Sequence, residues 1–75
     1  MGETRDFGWA LGHIKEGHKV ARLGWNGKGQ FVELQATAPG SEMDLPYLYI
    51  TTVQGSRVPW LASQTDILAE DWFTV

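Results

Sequence analysis

The sequence predicts an α+β fold: a small, mostly antiparallel sheet with an N-terminal helix and a second short helix before the last strand. Three observations carry this. Phe7, Ala10, Leu11 and Ile14 recur at helical spacing near the start of the chain. The middle holds short runs of aromatic and β-branched residues, separated by glycine- and proline-containing turns. Near the C-terminus, Ser63 stands three residues before Asp66, which is the pattern of a helix start. The predicted order is α-β-β-β-β-α-β.

Residues Met1 to Arg5 read as a frayed start, and Asp6 is placed to cap the first helix, about Phe7 to Glu16. Lys15 suits the C-terminal end of its dipole, and Gly17 supplies the positive φ that helix ends favour. Trp9 and His13 lie four apart, off the apolar stripe, where a second subunit is a natural partner. Lys19 to Leu23 reads as a strand, Gly24 to Gly29 as a glycine-punctuated loop with a hairpin signal at Asn26-Gly27, and Gln30 to Ala36 as the return strand. Thr37 to Pro46 is a polar loop. Tyr47 to Val53 is the strongest strand, Gln54-Gly55-Ser56 a turn, and Arg57 to Leu61 a further strand that Pro59 assigns to an edge or a bulge. A helix over Gln64 to Ala69 and a last strand over Trp72 to Val75 complete the chain.

Alternation along the Tyr47 strand puts Tyr47, Tyr49 and Thr51 on one face and Leu48, Ile50 and Thr52 on the other. Along the preceding strand, Phe31, Glu33 and Gln35 oppose Val32, Leu34 and Ala36. Helices on one side leave the other face without a layer, and a second copy of the chain is the expected cover.

The 75 residues allow a single domain, spanning 1–75. A domain of this size buries only roughly 60% of the surface its unfolded chain exposes. With no cysteine it has neither disulfides nor thiolate metal ligands, so self-association is the expected source of extra stability. Its four tryptophans are many for so small a core, which directs one or two of them to an interface or a ligand site. A formal net charge of −3 argues against a duplex nucleic acid as partner. No apolar run reaches membrane-spanning length and no signal-peptide pattern opens the chain, so a soluble cytoplasmic protein is expected.

Catalytic chemistry has little to stand on. His13 and His18 are five apart and keep no nucleophile or carboxylate at a recognisable spacing, so they read as solvated or interface residues, and no metal site is expected. Glu70-Asp71 reads as a solvated acidic pair. Binding chemistry is better represented. The loop Gly24 to Gly29 lets backbone N–H groups approach a ligand, Lys28 and Arg22 add cations, Trp25 offers a stacking surface and Asn26 can hydrogen-bond a base or ribose. A plain hairpin with a packed tryptophan fits the same residues. The segment Trp60-Leu61-Ala62-Ser63-Gln64-Thr65-Asp66 is a second candidate: a helix start with small hydroxyls receives anions, although Asp66 repels phosphate and suits a ribose hydroxyl or an adenine amine instead. Simple capping by Ser63 and Asp66 accounts for the same pattern.

The run Lys19-Val20-Ala21-Arg22-Leu23-Gly24-Trp25-Asn26-Gly27-Lys28-Gly29, followed by Phe31, resembles the signature of the phage Thoeris anti-defence family of the second type. So does Val58-Pro59-Trp60-Leu61-Ala62-Ser63-Gln64-Thr65-Asp66-Ile67-Leu68-Ala69-Glu70-Asp71-Trp72, and the helix opening at Phe7-Gly8 fits as well. Trp9 stands where a glutamate would complete the first capping box, and Thr37 to Pro46 is short for the family.

The resemblance implies a compact α+β protomer in a homotetramer. It implies binding of cyclic ADP-ribose-type signals made by bacterial TIR enzymes, glyco-cyclic ADP-ribose isomers among them, without cleavage and with no cofactor. Some relatives suggest cyclic dinucleotides too. It further implies sequestration in the cytoplasm of an infected bacterial host, by a protein that is not an enzyme. Carried onto matching positions, it assigns Trp25 and Asn26 to base and ribose, Arg22 and Lys28 to phosphate, and Phe31 to a wall. Trp60, Ser63, Gln64, Thr65 and Asp66 form the opposing rim. Other relatives are associated with blocking type II-A CRISPR nucleases, which makes a protein-binding inhibitor the alternative.

Overall fold

The structure is a computed structural model that describes residues 5–75 apart from Asn26, Ala38 and Ser41. Its elements are α1 (Phe7–Lys15), β1 (Val20–Arg22), β2 (Phe31–Gln35), β3 (Tyr47–Thr51), β4 (Arg57–Pro59), α2 (Gln64–Leu68) and β5 (Trp72–Thr74). The predicted order and fold class hold, and several elements end a residue or two earlier than expected. The hairpin signal at Asn26-Gly27 rests partly on a residue outside those described. Gly27 itself lies within a longer connection, Leu23 to Gln30, between β1 and β2.

Both ends of α1 are fixed by local chemistry. The Asp6 carboxylate accepts the Trp9 backbone N–H at 3.0 Å, so the cap forms without the glutamate of a capping box. At the other end Gly17 takes φ +93°, its N–H donates to the Ile14 carbonyl at 3.0 Å, and the His18 N–H donates to the His13 carbonyl at 3.0 Å. This is the paired closure of a Schellman motif, and it needs a residue that tolerates positive φ where Gly17 stands.

The five strands form one antiparallel sheet in the order β4-β3-β2-β1-β5. β1 to β4 run as a meander. The chain then passes through α2 and returns to the open side of β1, where Val20, Ala21 and Arg22 lie opposite Thr74, Phe73 and Trp72. Pro59 sits on the edge strand β4, where its missing N–H leaves no ladder bond unmade. Arg5 and Trp72 exchange backbone hydrogen bonds of 2.9 and 3.0 Å, which ties the start of the described chain to the last strand.

One face of the sheet carries the core. Ala10 and Ile14 of α1 meet Val20, Val32 and Trp72, all fully buried, and Leu34, Leu48 and Ile50 extend this layer. Phe7, Trp9, Trp25 and Trp60, all partly buried, pack around it. Trp72 is the largest fully buried side chain, and its indole N–H donates to the Asp66 carbonyl at 3.0 Å. The polar end of the ring is therefore satisfied inside the core.

Among the described residues, no helix lies on the opposite face. Strand alternation puts Phe31, Glu33, Tyr47, Tyr49 and Phe73 there. Lys19 lies 4.9 Å from the centroid of the Phe31 ring, and Arg57 lies 5.6 Å from that of Tyr49. The hydrogen bond to Glu33, and then burial, raises the pKa of the Tyr49 phenol above its ordinary value.

Candidate functional site

The site is built where the β1–β2 connection meets the start of α2. Arg22 ends β1 beside Trp72 of β5. Its Nε donates to Asp71 Oδ1 at 2.8 Å and its Nη1 to Asp66 Oδ1 at 2.8 Å. The planar guanidinium thus serves two carboxylates from two edges, an arrangement that a lysine cannot copy. The Arg22 and Asp66 side chains are only 14% and 13% exposed, which sets these bonds apart from a solvated surface pair.

Asp66 carries several hydrogen bonds at once. Its Oδ1 also accepts the Trp25 indole N–H at 3.2 Å. Its Oδ2 accepts the Ser63 hydroxyl at 2.9 Å and the Ser63 backbone N–H at 3.3 Å, while its own N–H donates back to Ser63 Oγ at 3.1 Å. That reciprocal box starts a helix of only five residues with no buried side chain, so capping and the Arg22 bond do much to hold α2 in place. Burial works to raise the Asp66 pKa, but the bonds from Arg22, Trp25 and Ser63 outweigh it and hold the carboxyl below its ordinary value. For Asp71 the Arg22 bond is the largest cause of a lowered pKa, with the Gly24 N–H adding to it. Arg22 is raised in turn, chiefly by Asp71.

The aromatic residues close over this network. The Trp25, Trp60 and Trp72 rings meet edge-on, with centroids 5.5 to 6.5 Å apart, and Phe7 leans on Trp60 and Trp72. Such edge-to-face contacts add to the burial of each ring. Beside Trp25 lies a cleft of about 80 Å³ lined by Arg22, Lys28, Gly27, Gly29, Gln30 and Phe73 among others. Lys28 Nζ donates to the Leu23 carbonyl at 2.9 Å, and the Gln30 amide donates to the Gly27 carbonyl at 3.0 Å, so the loop closes on itself.

Of the residues singled out from sequence, Arg22, Trp25 and Lys28 line one cleft. Ser63 and Asp66 join it through the hydrogen bonds above, and Trp60 through ring contacts. Gln64 and Thr65 are exposed on the first turn of α2. Phe31 shares the helix-free face with the cleft-lining Phe73 but is not itself among the residues that line the cleft, and Asn26 lies outside the described residues. Asp71, taken from sequence as a solvated partner of Glu70, is instead bonded to Arg22 and to the Gly24 N–H. Only the pairing of β5 with β1 brings it there across 49 residues, and no local pattern announces that pairing. His13 lies against Trp9 with ring centroids 4.2 Å apart and planes tilted by 39°, and no cluster of three or more metal-ligating groups occurs among the described residues.

Fold and site define a small α+β protein whose main polar feature is an aromatic, glycine-rich loop latched to a capped helix start. Comparison with known proteins gives this architecture a biological class, that of proteins that counter a bacterial defence. The profile of the Thoeris anti-defense 2-like domain matches residues 5–75. A Bacillus phage SP01 protein named Thoeris anti-defense 2 is 37% identical, with 96% of each chain covered. The chain belongs to the Thoeris anti-defense 2-like family. That alignment runs over 85 residues, more than this chain contains, so the phage protein carries residues that this one lacks.

Proposed function

We propose that the protein disarms an anti-phage defence by binding a cyclic nucleotide signal and holding it intact, the signal being a glyco-cyclic ADP-ribose isomer made by a TIR enzyme. The observation that carries this is the Trp25–Asp66 hydrogen bond, which joins the two motif segments on which the family resemblance rests. Trp25 then serves as the stacking surface for the adenine, and Lys28 as the cation nearest a pyrophosphate. Sequestration requires affinity rather than turnover; a nanomolar Kd corresponds to about −12 kcal/mol.

Among the described residues, the cleft of one protomer is too small to enclose such a ligand. Small-molecule pockets run to roughly 300–1,000 Å³, against about 80 Å³ for the cleft beside Trp25. Phe31, assigned by the family resemblance to a pocket wall, faces away from Ser63 and Asp66 within one chain. A site shared between protomers removes both difficulties, and the helix-free aromatic face is the surface on which copies meet. The working form is therefore a homo-oligomer, a tetramer by family resemblance, acting in the cytoplasm of the infected host. A protein-docking role against a CRISPR nuclease finds less support, since Asp66 and Asp71 are turned inward onto Arg22.

The test is a calorimetric titration with a ribose–ribose-linked cyclic ADP-ribose isomer, alongside a panel of cyclic dinucleotides. Tight binding, with the nucleotide recovered unchanged after the protein is denatured, is the expected result. Cleaved nucleotide would make the protein an enzyme, and no heat from any member of the panel would overturn the proposal.

A further inference from the structure

The Gly24–Gly29 loop begins at a junction that the capping of α2 does not explain. Asp71, just ahead of β5, uses both carboxylate oxygens on the β1 side. Oδ1 accepts Arg22 Nε at 2.8 Å, and Oδ2 accepts the Gly24 backbone N–H at 2.7 Å. Its carbonyl takes the Leu23 N–H at 3.1 Å. Three successive residues leading into the loop are thus bound by one aspartate.

The fit is close. A Cβ on Gly24 would stand 2.8 Å from Asp71 Oδ2 and 3.3 Å from an Arg22 terminal nitrogen. The carboxylate can approach the backbone this closely only because residue 24 has no side chain. Moving the carboxylate to make room would disturb the Gly24 bond and the Arg22 bond together.

Arg22 carries the effect onward. Held by Asp71 at Nε, it presents Nη1 to Asp66, and Asp66 holds the Trp25 indole. Asp71 therefore reaches the stacking residue by two routes, the backbone through Gly24 and the side-chain chain Arg22–Asp66–Trp25. Neither route involves Asp71 touching the cleft, since it is not among the residues that line it.

We propose that Asp71 is a positioning residue for ligand capture, one that locks the entry to the glycine loop and the Arg22 guanidinium in a single arrangement so that Trp25 is preformed for stacking. This rests on the nucleotide-binding function proposed above. A preformed loop pays its ordering cost during folding rather than on binding, and losing the lock transfers that cost to the ligand. Arg22 belongs to the same device, acting on the ligand through Asp66 and Trp25.

The experiment compares wild type with Asp71→Asn and Gly24→Ala. The first keeps the size of the side chain and removes its charge; the second keeps the charge and crowds the carboxylate. Amide hydrogen exchange on the unliganded proteins is the structural readout. Faster exchange confined to Leu23–Gly29, with α1, β2 and β3 unchanged, is the expected result. Titration with the ribose–ribose-linked cyclic ADP-ribose isomer should then show affinity roughly tenfold weaker. An anchor of the whole fold would speed exchange through α1, β2 and β3 as much as in the loop, and that result overturns the proposal. Unchanged loop exchange, or a loosened loop with wild-type affinity, overturns it as well. If Asp71→Asn does not fold, Gly24→Ala decides alone. Failure of the wild type to bind any nucleotide refutes the ligand assignment, whereas failure of the lock shows only in the comparison of variants.

Discussion

At the scale of single residues, the site is organised by Asp66, whose two oxygens face two tasks. Oδ2 closes the helix cap with Ser63, and Oδ1 receives Arg22 and Trp25. Asp66→Ala should therefore lower both the melting temperature and the affinity for the cyclic ADP-ribose isomer, as read by calorimetry; a fall in melting temperature alone would leave Asp66 as a cap. Trp25→Ala should weaken the same titration by more than about 1 kcal/mol through lost stacking, and unchanged affinity in a folded variant would remove Trp25 from the site. Acid should loosen the network. Asp66 and Asp71 are both held below the ordinary carboxyl value of 3.8 in the folded chain. Their contribution to stability is then fully present above that value and is lost as pH falls through the lower folded values. Melting temperature should decline below about pH 4 in wild type and less steeply in Asp71→Asn. Trp25, Arg22 and Asp66 are legible as candidates because a tryptophan within a glycine loop, a cation just ahead of that loop and a capping acid each carry a local signal. Asp71 is not, because its partners are supplied by strand pairing alone.

Among the elements, α2 is the one held by its cap rather than by its packing. Leu68 is 75% exposed and none of its five residues is buried, yet it supplies the Asp66 carbonyl that satisfies Trp72. Ser63→Ala should cost about 1 kcal/mol, measured by denaturant unfolding, and should loosen Trp25 as well as the helix. The α1 terminus offers a matching test at a distance from the cleft. Gly17→Ala forces a side chain into φ +93° and should destabilise by about 1 kcal/mol with ligand affinity unchanged. Reduced affinity there would mean that α1 is coupled to the site. Element types were readable because each carries its own chemistry: Asp6 and Gly17 at the ends of α1, β-branched and aromatic alternation in β3, Ser63 and Asp66 opening α2. Strand ends were less so. Sequence extends β4 to Leu61, but ladder pairing stops at Pro59, and Leu61 is 91% exposed.

At the scale of the whole molecule, the described helices cover one side of the sheet only. The open face combines the partly exposed Phe31, Tyr47 and Phe73 with Lys19, Glu33 and Arg57, a mixture of aromatic surface and both charges that suits contact with a copy of itself, while Tyr49 on the same face is already buried. Tyr47→Asp places an unpaired charge on that face and should shift the protein to monomer in light scattering while leaving the circular dichroism of the fold intact. An unchanged particle mass would mean that copies meet elsewhere. The alternation of Tyr47, Tyr49 and Thr51 against Leu48 and Ile50 revealed this second apolar face from sequence, but not the strand order, which puts the last strand next to the first. That order has a consequence for biosynthesis. Gly24 and Trp25 are made early, while Asp66, Asp71 and β5 are made in the last part of the chain. A nascent chain that has already emitted its whole meander still has no formed site, and a product halted before Asp71 should be inert rather than a weak trap. On the proposed function, capture would begin only with finished molecules, and the delay before the defence is silenced would include the full time of synthesis and closure of this long-range pairing.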